Sequence, residues 1–599
     1  MTDQPTYELV RGEMRPWTDY EGENFPAGGP VLTSVLADLA SSVTGRVLVA
    51  GPTSADTVRA VAGEGRSVDL LVRGADDAER LGAELTGVRV IAGALDGLVA
   101  DNPQPYDLVI AVAGVDRLTS YDAQRVSFAD QLQMLAGLTT DGGVLAVAHE
   151  FDTAPASVLD ARPEDQRHGD NDWRPVDTDT TRPVDHAGFV AAVRAVRAGE
   201  VDDLLLFGPP AAPRAAVNSR VTREAENLTD LLVAAAGATH RPLLAAPDEQ
   251  VTRLVRVGRV ADAADAALLI VGGRVAGDVI TAAGDRALTA TLAATGEPGW
   301  TSIRTSEPVA WPDARFAPGG SRDTAQPSET GRYVPAPAAS EPSPLVTVEP
   351  SLAPSRVALS PTLHQLLRYA AATDDVPEFR RLAAEFGGLV ETVPVTERRV
   401  LTTTTTVLDG GSVRPGLDIR AWTTTVSVDE ALAAAFWLLQ DAFVRARVRL
   451  PWPHHVRDAA LTATWVEMAG GTADDASLAR GRELADALSQ AAPVVTTDLR
   501  AALADADAAR RELGEAQGHI AGLERTIGFR DKQLRTREDV IRNLRKSPGA
   551  GLAASKSTGT SVAKLVKRTS EVRSFGELTA GVNRVVKRRQ RQKQMRSKA

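Results

Sequence analysis

Between Gly45 and Ala148 the chain alternates short aliphatic runs with helix-forming stretches, and this alternation restricts the fold more than any other feature. The runs are GRVLV (45–49), VDLLV (68–72), VRVIA (88–92), LVIAVA (108–113) and VLAVA (144–148). Each is too short for a buried helix and too continuously apolar for a sheet wetted on one face, so they predict strands covered on both sides. TVRAVAGEG after the first run, and residues 122–138 before the turn at Asp141-Gly142-Gly143, supply covering helices. Strands and helices alternating at this spacing form βαβ units and a parallel sheet. Ligands of such sheets sit beyond the carboxyl ends of the strands, where the first loop meets a helix N-terminus.

The 599 residues leave room for several further units at roughly 150 residues each. With 43% apolar and 24% charged residues the composition is that of a soluble globular chain. Cysteine is absent, which excludes disulfides, thiolate zinc sites and cysteine nucleophiles. No run reaches the ~18 apolar residues of a membrane span, and MTDQPTYELVRGEMRPW lacks the apolar core of a secretory signal. A cytoplasmic location is expected. The α/β pattern covers 1–295. Residues 296–355, including PSETGRYVPAPAASEPSPLVTVEPSLAPS, read as a Pro/Ser-rich linker. Residues 356–492 predict a mainly helical domain, with Leu363, Leu366, Leu367 and Ala370 on one helical face. Within it, the runs 400–407 and 421–427 about the turn Asp409-Gly410-Gly411 predict a β-hairpin.

Residues 496–546 predict a coiled coil. Leu499, Ala506, Leu513, Ile520, Ile527, Leu534 and Ile541 recur at seven-residue spacing, and Ala502, Ala509, Ala516, Leu523 and Leu544 fall three residues after members of that series. A sustained seven-residue repeat keeps one apolar stripe along a helix and favours a supercoiled partner, here a second copy. Residues 547–599 form a basic amphipathic tail: from Arg545 onward there are fifteen Lys and Arg against Glu571 and Glu577, in a chain whose net charge is −11. Phe575, Leu578, Val582, Val585 and Val586 make an apolar stripe beside Arg584, Lys587, Arg588 and Arg589. This suits an anionic membrane surface, and peripheral attachment to the inner membrane face is expected. Nucleic acid is the less favoured partner, because no aromatics for base stacking interleave the cations.

The tokens VLVAGPTSAD, VDLLV, VRVIAGALDGL, YDLVIAVAG and LAGLTTDGGVLAV, in this order over about 40–150, resemble a class I S-adenosylmethionine-dependent methyltransferase of actinobacterial type. The resemblance implies a Rossmann-like doubly wound methyltransferase-type sheet with S-adenosylmethionine as cofactor. It places cofactor-binding positions at Gly51, Thr53, Ala55, Arg73, Ala94, Asp96 and Ala113. The motif is degenerate. Of the three glycines of the family's first loop only Gly51 stands, with Thr53 and Ala55 at the others, and Val49 takes the acidic place. At the second strand end the family carries an acid that accepts from the ribose hydroxyls; Arg73 cannot accept. Ala94 takes the adenine-contacting acid's place, with Asp96 as substitute. His149, Glu150 and Asp116, after the fifth and fourth strands, are the catalytic candidates, with Trp173 and His186 in the region where a substrate would lie.

Other chemistries leave fewer traces. There is no P-loop and no H-E-x-x-H pair among the eight histidines, so no metal site is predicted. Asp170-Asn171-Asp172 and Asp177-Thr178-Asp179 have the D-x-D form of metal-dependent glycosyltransferases. Three functions follow as expectations. The first is a methyltransferase-like enzyme acting on a cell-surface glycan or lipid-linked intermediate. The second is a non-catalytic scaffold that oligomerises and positions partner enzymes at the membrane, and the third is a glycosyltransferase.

Overall fold

The structure, a computed structural model, describes residues 6–489 apart from 16, 21–24, 64, 102, 122–125, 162–178, 239–242, 294–298, 309–344, 394–396, 447, 453–455 and 457, together with the helix 499–546. Two units result, Met1–Thr496 and Thr497–Ala599.

The first unit is organised by one sheet. Its parallel half contains β1 (Glu8–Leu9), β2 (Arg46–Ala50), β3 (Ser67–Val72), β4 (Val88–Ala92), β5 (Tyr106–Ala111) and β6 (Thr139–Glu150). The antiparallel half contains β7 (Val201–Phe207), β8 (Ala215–Asn218), β9 (Ala266–Val271), β10 (Val279–Ala283), β11 (Arg286–Leu292) and β12 (Gly299–Thr305). Outside the sheet lies β13 (Val346–Val348), and β14 (Arg356–Ala358) closes the far edge. The order is β1-β4-β3-β2-β5-β6-β9-β7-β8-β10-β11-β12-β14. The five expected strands are β2 to β6. They are parallel, and the order reverses between β2 and β5, as in a Rossmann-like doubly wound sheet. β9 then runs antiparallel between β6 and β7.

Successive residues of a strand point to opposite faces, so the continuous apolar runs feed two cores. Val47 and Val49 pack with α1 (Gly29–Ser41), α2 (Ala55–Ala62) and α3 (Ala75–Glu84). Leu48 faces the other way, into the core of α4 (Leu95–Ala100) and α5 (Phe128–Gly137). The short α6 (Pro155–Val158) and then α7 (His186–Val196), α8 (Thr229–Ala236), α9 (Asp248–Arg256) and α10 (Val260–Ala263) cover the remainder.

Two sequence expectations shift. Part of the stretch 296–355 is sheet: β12 pairs with β11 and β14, and its Trp300 is buried in the core. The residues GWTSIRT carry Trp300 and Ile303 three apart rather than in strict alternation, so the strand signal is weak beside the neighbouring prolines. The hairpin is also tighter than expected. Here β15 (Thr406–Asp409) pairs with β16 (Ser412–Pro415), while β17 (Arg420–Trp422) pairs with β13. Gly410 and Gly411, at φ +57° and +88°, form the two-residue turn with both φ positive that closes a hairpin without a longer loop.

The helices α11 (Leu363–Ala372), α12 (Val376–Thr392), α13 (Val428–Arg445), α14 (Ala459–Met468) and α15 (Asp475–Leu488) enclose their own aromatic core, including Phe379, Phe386, Phe436, Phe443 and Trp465. Ser427 and Glu430 form a capping box at the start of α13. The second unit is the single helix α16 (Leu499–Lys546), 48 residues long and so about 72 Å. Of its heptad residues, Leu513, Ile520, Ile527 and Leu534 face solvent, being 58%, 54%, 58% and 55% exposed. The tail 547–599 lies outside the described residues. No helix among the described residues is long and apolar enough to cross a membrane.

Because Trp300 is fully buried beneath the sheet extension, Trp300→Ala is expected to cost about 3–5 kcal/mol of stability. Urea unfolding followed by far-UV circular dichroism measures this; a cost under 1 kcal/mol would mean that β12 does not belong to the folded sheet.

Candidate functional site

The switch point between β2 and β5 is where a doubly wound sheet binds its ligand. The loop leaving β2 carries Gly51 at φ +98°, packed against Ala113 from the end of β5. Ser54 caps α2, its hydroxyl accepting from the Thr57 amide, and Ala55 begins the helix. The sequence-predicted positions are therefore brought together. What lies over them is the chain's own N-terminal segment.

That segment crosses the carboxyl ends of β4, β3 and β2 in turn. At β4 the Val10 amide donates to the Ala92 carbonyl at 2.9 Å, and the Ala94 amide donates to the Arg11 carbonyl at 3.1 Å. Arg11 also pairs with Asp96 at 2.8 Å. The approach is so close that any Cβ at Gly97 would collide with the Arg11 carbonyl. At β3 the Met14 amide donates to the Arg73 carbonyl at 2.8 Å. At β2 the Ala27 amide donates to the Pro52 carbonyl, and the Ser54 amide returns a bond to the Ala27 carbonyl, both at 2.8 Å. The Tyr20 hydroxyl donates to the Thr53 carbonyl at 2.9 Å and accepts from the Thr53 amide at 3.1 Å.

The centre of this closure is an ion pair. The Arg73 Nε donates to Asp19 Oδ2 and an Arg73 terminal nitrogen to Asp19 Oδ1, both at 2.7 Å, while another donates to the Thr119 carbonyl at 3.0 Å. Their side chains are 0% and 2% exposed. The Trp17 ring lies 5.0 Å from the guanidinium carbon. Arg117 donates to the Asp19 and Phe25 carbonyls, adding a second cation beside Asp19. Burial pushes the Asp19 carboxyl up, but the hydrogen bonds and charge of Arg73, with Arg117, carry it below its ordinary value of 3.8. Burial holds the Tyr20 phenol far above its ordinary range, so it remains a protonated donor.

The fit of S-adenosylmethionine can be judged on these contacts. A ribose needs an acceptor at the end of β3, where Arg73 has its donors committed to Asp19 and Thr119. Adenine needs a gap beside Ala94 and Asp96, where the Arg11 backbone lies against Gly97 and its guanidinium pairs with Asp96 Oδ2. The carboxypropyl group needs free amides in the Gly51 loop, where Tyr20 and Ala27 occupy the backbone. In this conformation the residues do not fit the cofactor.

The catalytic candidates are likewise engaged. His149 is buried, its Nε2 2.7 Å from the Pro183 carbonyl and its ring 4.9 Å from that of Phe128. Burial lowers its pKa, so it is a neutral packing residue. Asp116 and Asp152 both pair with Arg182, Asp116 at 3.1 Å. Glu150 ends β6, opposite Ala266 of β9. His186 bonds Asp203 at 2.9 Å, whereas Trp173 and the acids 170–177 lie outside the described residues. Asp179 instead accepts from the Phe128 amide at the start of α5. No group of three or more metal-ligating side chains occurs among the described residues.

Asp19, Tyr20, Arg11 and Arg117 are the site residues that sequence reasoning missed. Their signal was indirect: a strand-end arginine in an apolar setting requires an acid from elsewhere in the chain.

No family model matches the chain, and no curated protein does. Among solved structures it is similar to the plantazolicin methyltransferase BamL, with 9% identity over 40% of this chain and 81% of that one, at TM-score 0.23. It is similar to a geranyl diphosphate methyltransferase in complex with SAM, with 16% identity over 40% and 83%, at TM-score 0.21. The CcbJ methyltransferase from Streptomyces caelestis gives 10% identity over 44% and 94%, at TM-score 0.19.

Removing one partner of a buried ion pair strands the other charge, so Asp19→Asn is expected to destabilise the chain by about 3–5 kcal/mol. The double change Asp19→Leu with Arg73→Met should cost less than Asp19→Asn alone, as read by urea unfolding. The depressed Asp19 pKa also sets a sign: its stabilisation is complete above about 3.8, its value when unfolded, and is lost as pH falls through the lower folded value. An acid titration of stability in which Asp19→Asn keeps the full wild-type slope below pH 4 would refute this assignment.

Proposed function

We propose that this chain is a methyltransferase-like protein whose cofactor edge is closed by its own N-terminal segment, and that it works as a non-catalytic scaffold. The Asp19–Arg73 pair carries this reading: at the position where a ribose would need an acceptor, the chain places a cation and neutralises it internally. The same closure argues against transfer to a glycan or lipid-linked acceptor at that edge. The D-x-D reading loses support at Asp179, whose carboxylate caps a helix.

A scaffold needs a means of gathering copies or partners. The exposed heptad stripe of α16 supports self-association, because burying Leu513, Ile520, Ile527, Leu534 and Ile541 against a second copy would remove each from water, at roughly 25 cal/mol per Å² of apolar surface. The basic tail then attaches the assembly to an anionic membrane surface, where partner enzymes are positioned.

Titration calorimetry of the full chain with S-adenosylhomocysteine is expected to give no heat at millimolar ligand; saturable binding with a dissociation constant in the micromolar range would overturn the closed-edge reading. Sedimentation of the full chain is expected to give a dimer or larger species, and Ile520→Asp with Ile527→Asp to give the monomer. A wild-type monomer at tens of micromolar would sink the scaffold as described. Anionic liposomes should retain the full chain but lose it when residues 549–599 are deleted.

A further inference from the structure

A cavity of about 310 Å3 lies among elements that the site above does not use. Its walls come from α8, the sheet strands β10, β11, β12 and β14, the loops on either side of β15 and β16, and the starts of α9 and α11, with α13 closing one side. Residues 356–492 therefore supply much of the enclosure. Its volume falls within the range of about 300–1,000 Å3 that holds small organic ligands.

The charges lining it are unequal. Arg368 pairs with Glu249 at 2.5 Å, Arg420 with Asp418 at 2.7 Å and Arg445 with Asp248 at 3.7 Å, and Asp230 accepts from the Thr362 hydroxyl. Arg214, at the start of β8, has no acidic partner among the described residues, and its Nε is buried without a hydrogen bond. Burial lowers its pKa with no neighbouring acid to offset the effect. Arg214 is only half-buried, so water reaches part of its guanidinium, but the buried Nε is a donor that a ligand anion in the cavity would complete. Around it, Leu231, Trp300, Val357, Leu417 and Phe443 present apolar surface.

We propose that this cavity binds a small organic anion, with the carboxylate or phosphate head on Arg214 and the apolar body against Trp300, Val357 and Phe443. The guanidinium fork matches the planar carboxylate and the phosphate equally, so the head group is left to experiment. This site is independent of the closed cofactor edge, so its test does not depend on that reading.

Full-length chain would be titrated calorimetrically with octanoate, with octyl phosphate and with octanol as the neutral control. One anion is expected to bind at a single site at least tenfold more tightly than octanol, and the stronger of the two identifies the head group. Arg214→Met should weaken that anion at least tenfold and leave octanol unchanged, while Arg214→Lys should retain binding within threefold. Since Arg214→Met removes an uncompensated cation, the ligand-free variant should also melt higher than the wild type. Ala442→Leu, which narrows the cavity without touching Arg214, should weaken both anions. Failure of the wild type to bind either anion at millimolar concentration would overturn the proposal, as would undiminished affinity in Arg214→Met or Ala442→Leu. A lower melting point for Arg214→Met would likewise overturn it, by making Arg214 a residue that the fold itself requires.

Discussion

A guanidinium removed from water must find a counter-charge, and at the end of β3 that requirement decides what the whole edge of the sheet can do. Arg73 meets it with Asp19, some fifty residues away in sequence, and the two are held in a bidentate pair that excludes solvent. A buried pair of this kind adds little net stability compared with apolar packing, but it strongly penalises any arrangement that separates its members. The N-terminal segment is thereby pinned in one register. Once Asp19 is placed, Tyr20 lies on the Thr53 backbone, Met14 on Arg73 and Arg11 on Asp96.

The effect is a sheet with a ligand-binding topology whose switch point, among the described residues, is bonded to the chain's own N-terminal segment. The two helix layers, the strand order and the capped α2 remain those of a nucleotide-type scaffold. Arg73, Tyr20 and the Thr53 and Ser54 amides bond to groups of the same chain, while Asp96 Oδ1, Arg117 Nε and Ser120 Oγ are buried there without a hydrogen bond. Space and unmatched charge occur at the other end of the first unit, where Arg214 faces a cavity bounded by the sheet extension and the helices beyond it. The long helix α16 meanwhile carries unburied heptad residues, the reverse of the sheet's condition.

How much of this was legible beforehand depended on the range of the interaction. Val47 to Ala50, Leu70 to Val72 and Val109 to Ala111 were readable as strands because a continuous apolar run bounded by turn residues is a local signal. The heptads of α16 were readable for the same reason. Trp300 lies inside a stretch whose prolines and serines signal a linker. The expected approach of the runs 400–407 and 421–427 survives at their edge, where Arg399 bridges Ala421 and the Val400 amide donates to the Arg420 carbonyl, but the ladders join β15 to β16 across a two-glycine turn and β17 to the distant β13. At the site, Arg73 was recognised as a departure from a cofactor contact, yet its meaning could not be found at position 73.

The amino-acid order alone determined the alternation of strand and helix, the absence of two glycines and of the acids at positions 49, 73 and 94 where the resemblance expects them, and the periodic stripe of the terminal helix. Each of these is a property of neighbours along the chain. Only the tertiary structure decided that Asp19 would answer Arg73, that Tyr20 would seal the Gly51 loop, and that Arg214 would face a cavity with no acidic partner among the described residues. Those outcomes turn on which distant groups are brought within hydrogen-bonding distance after water has been excluded, and burial is a property of the assembled sheet and helices rather than of any local run of residues.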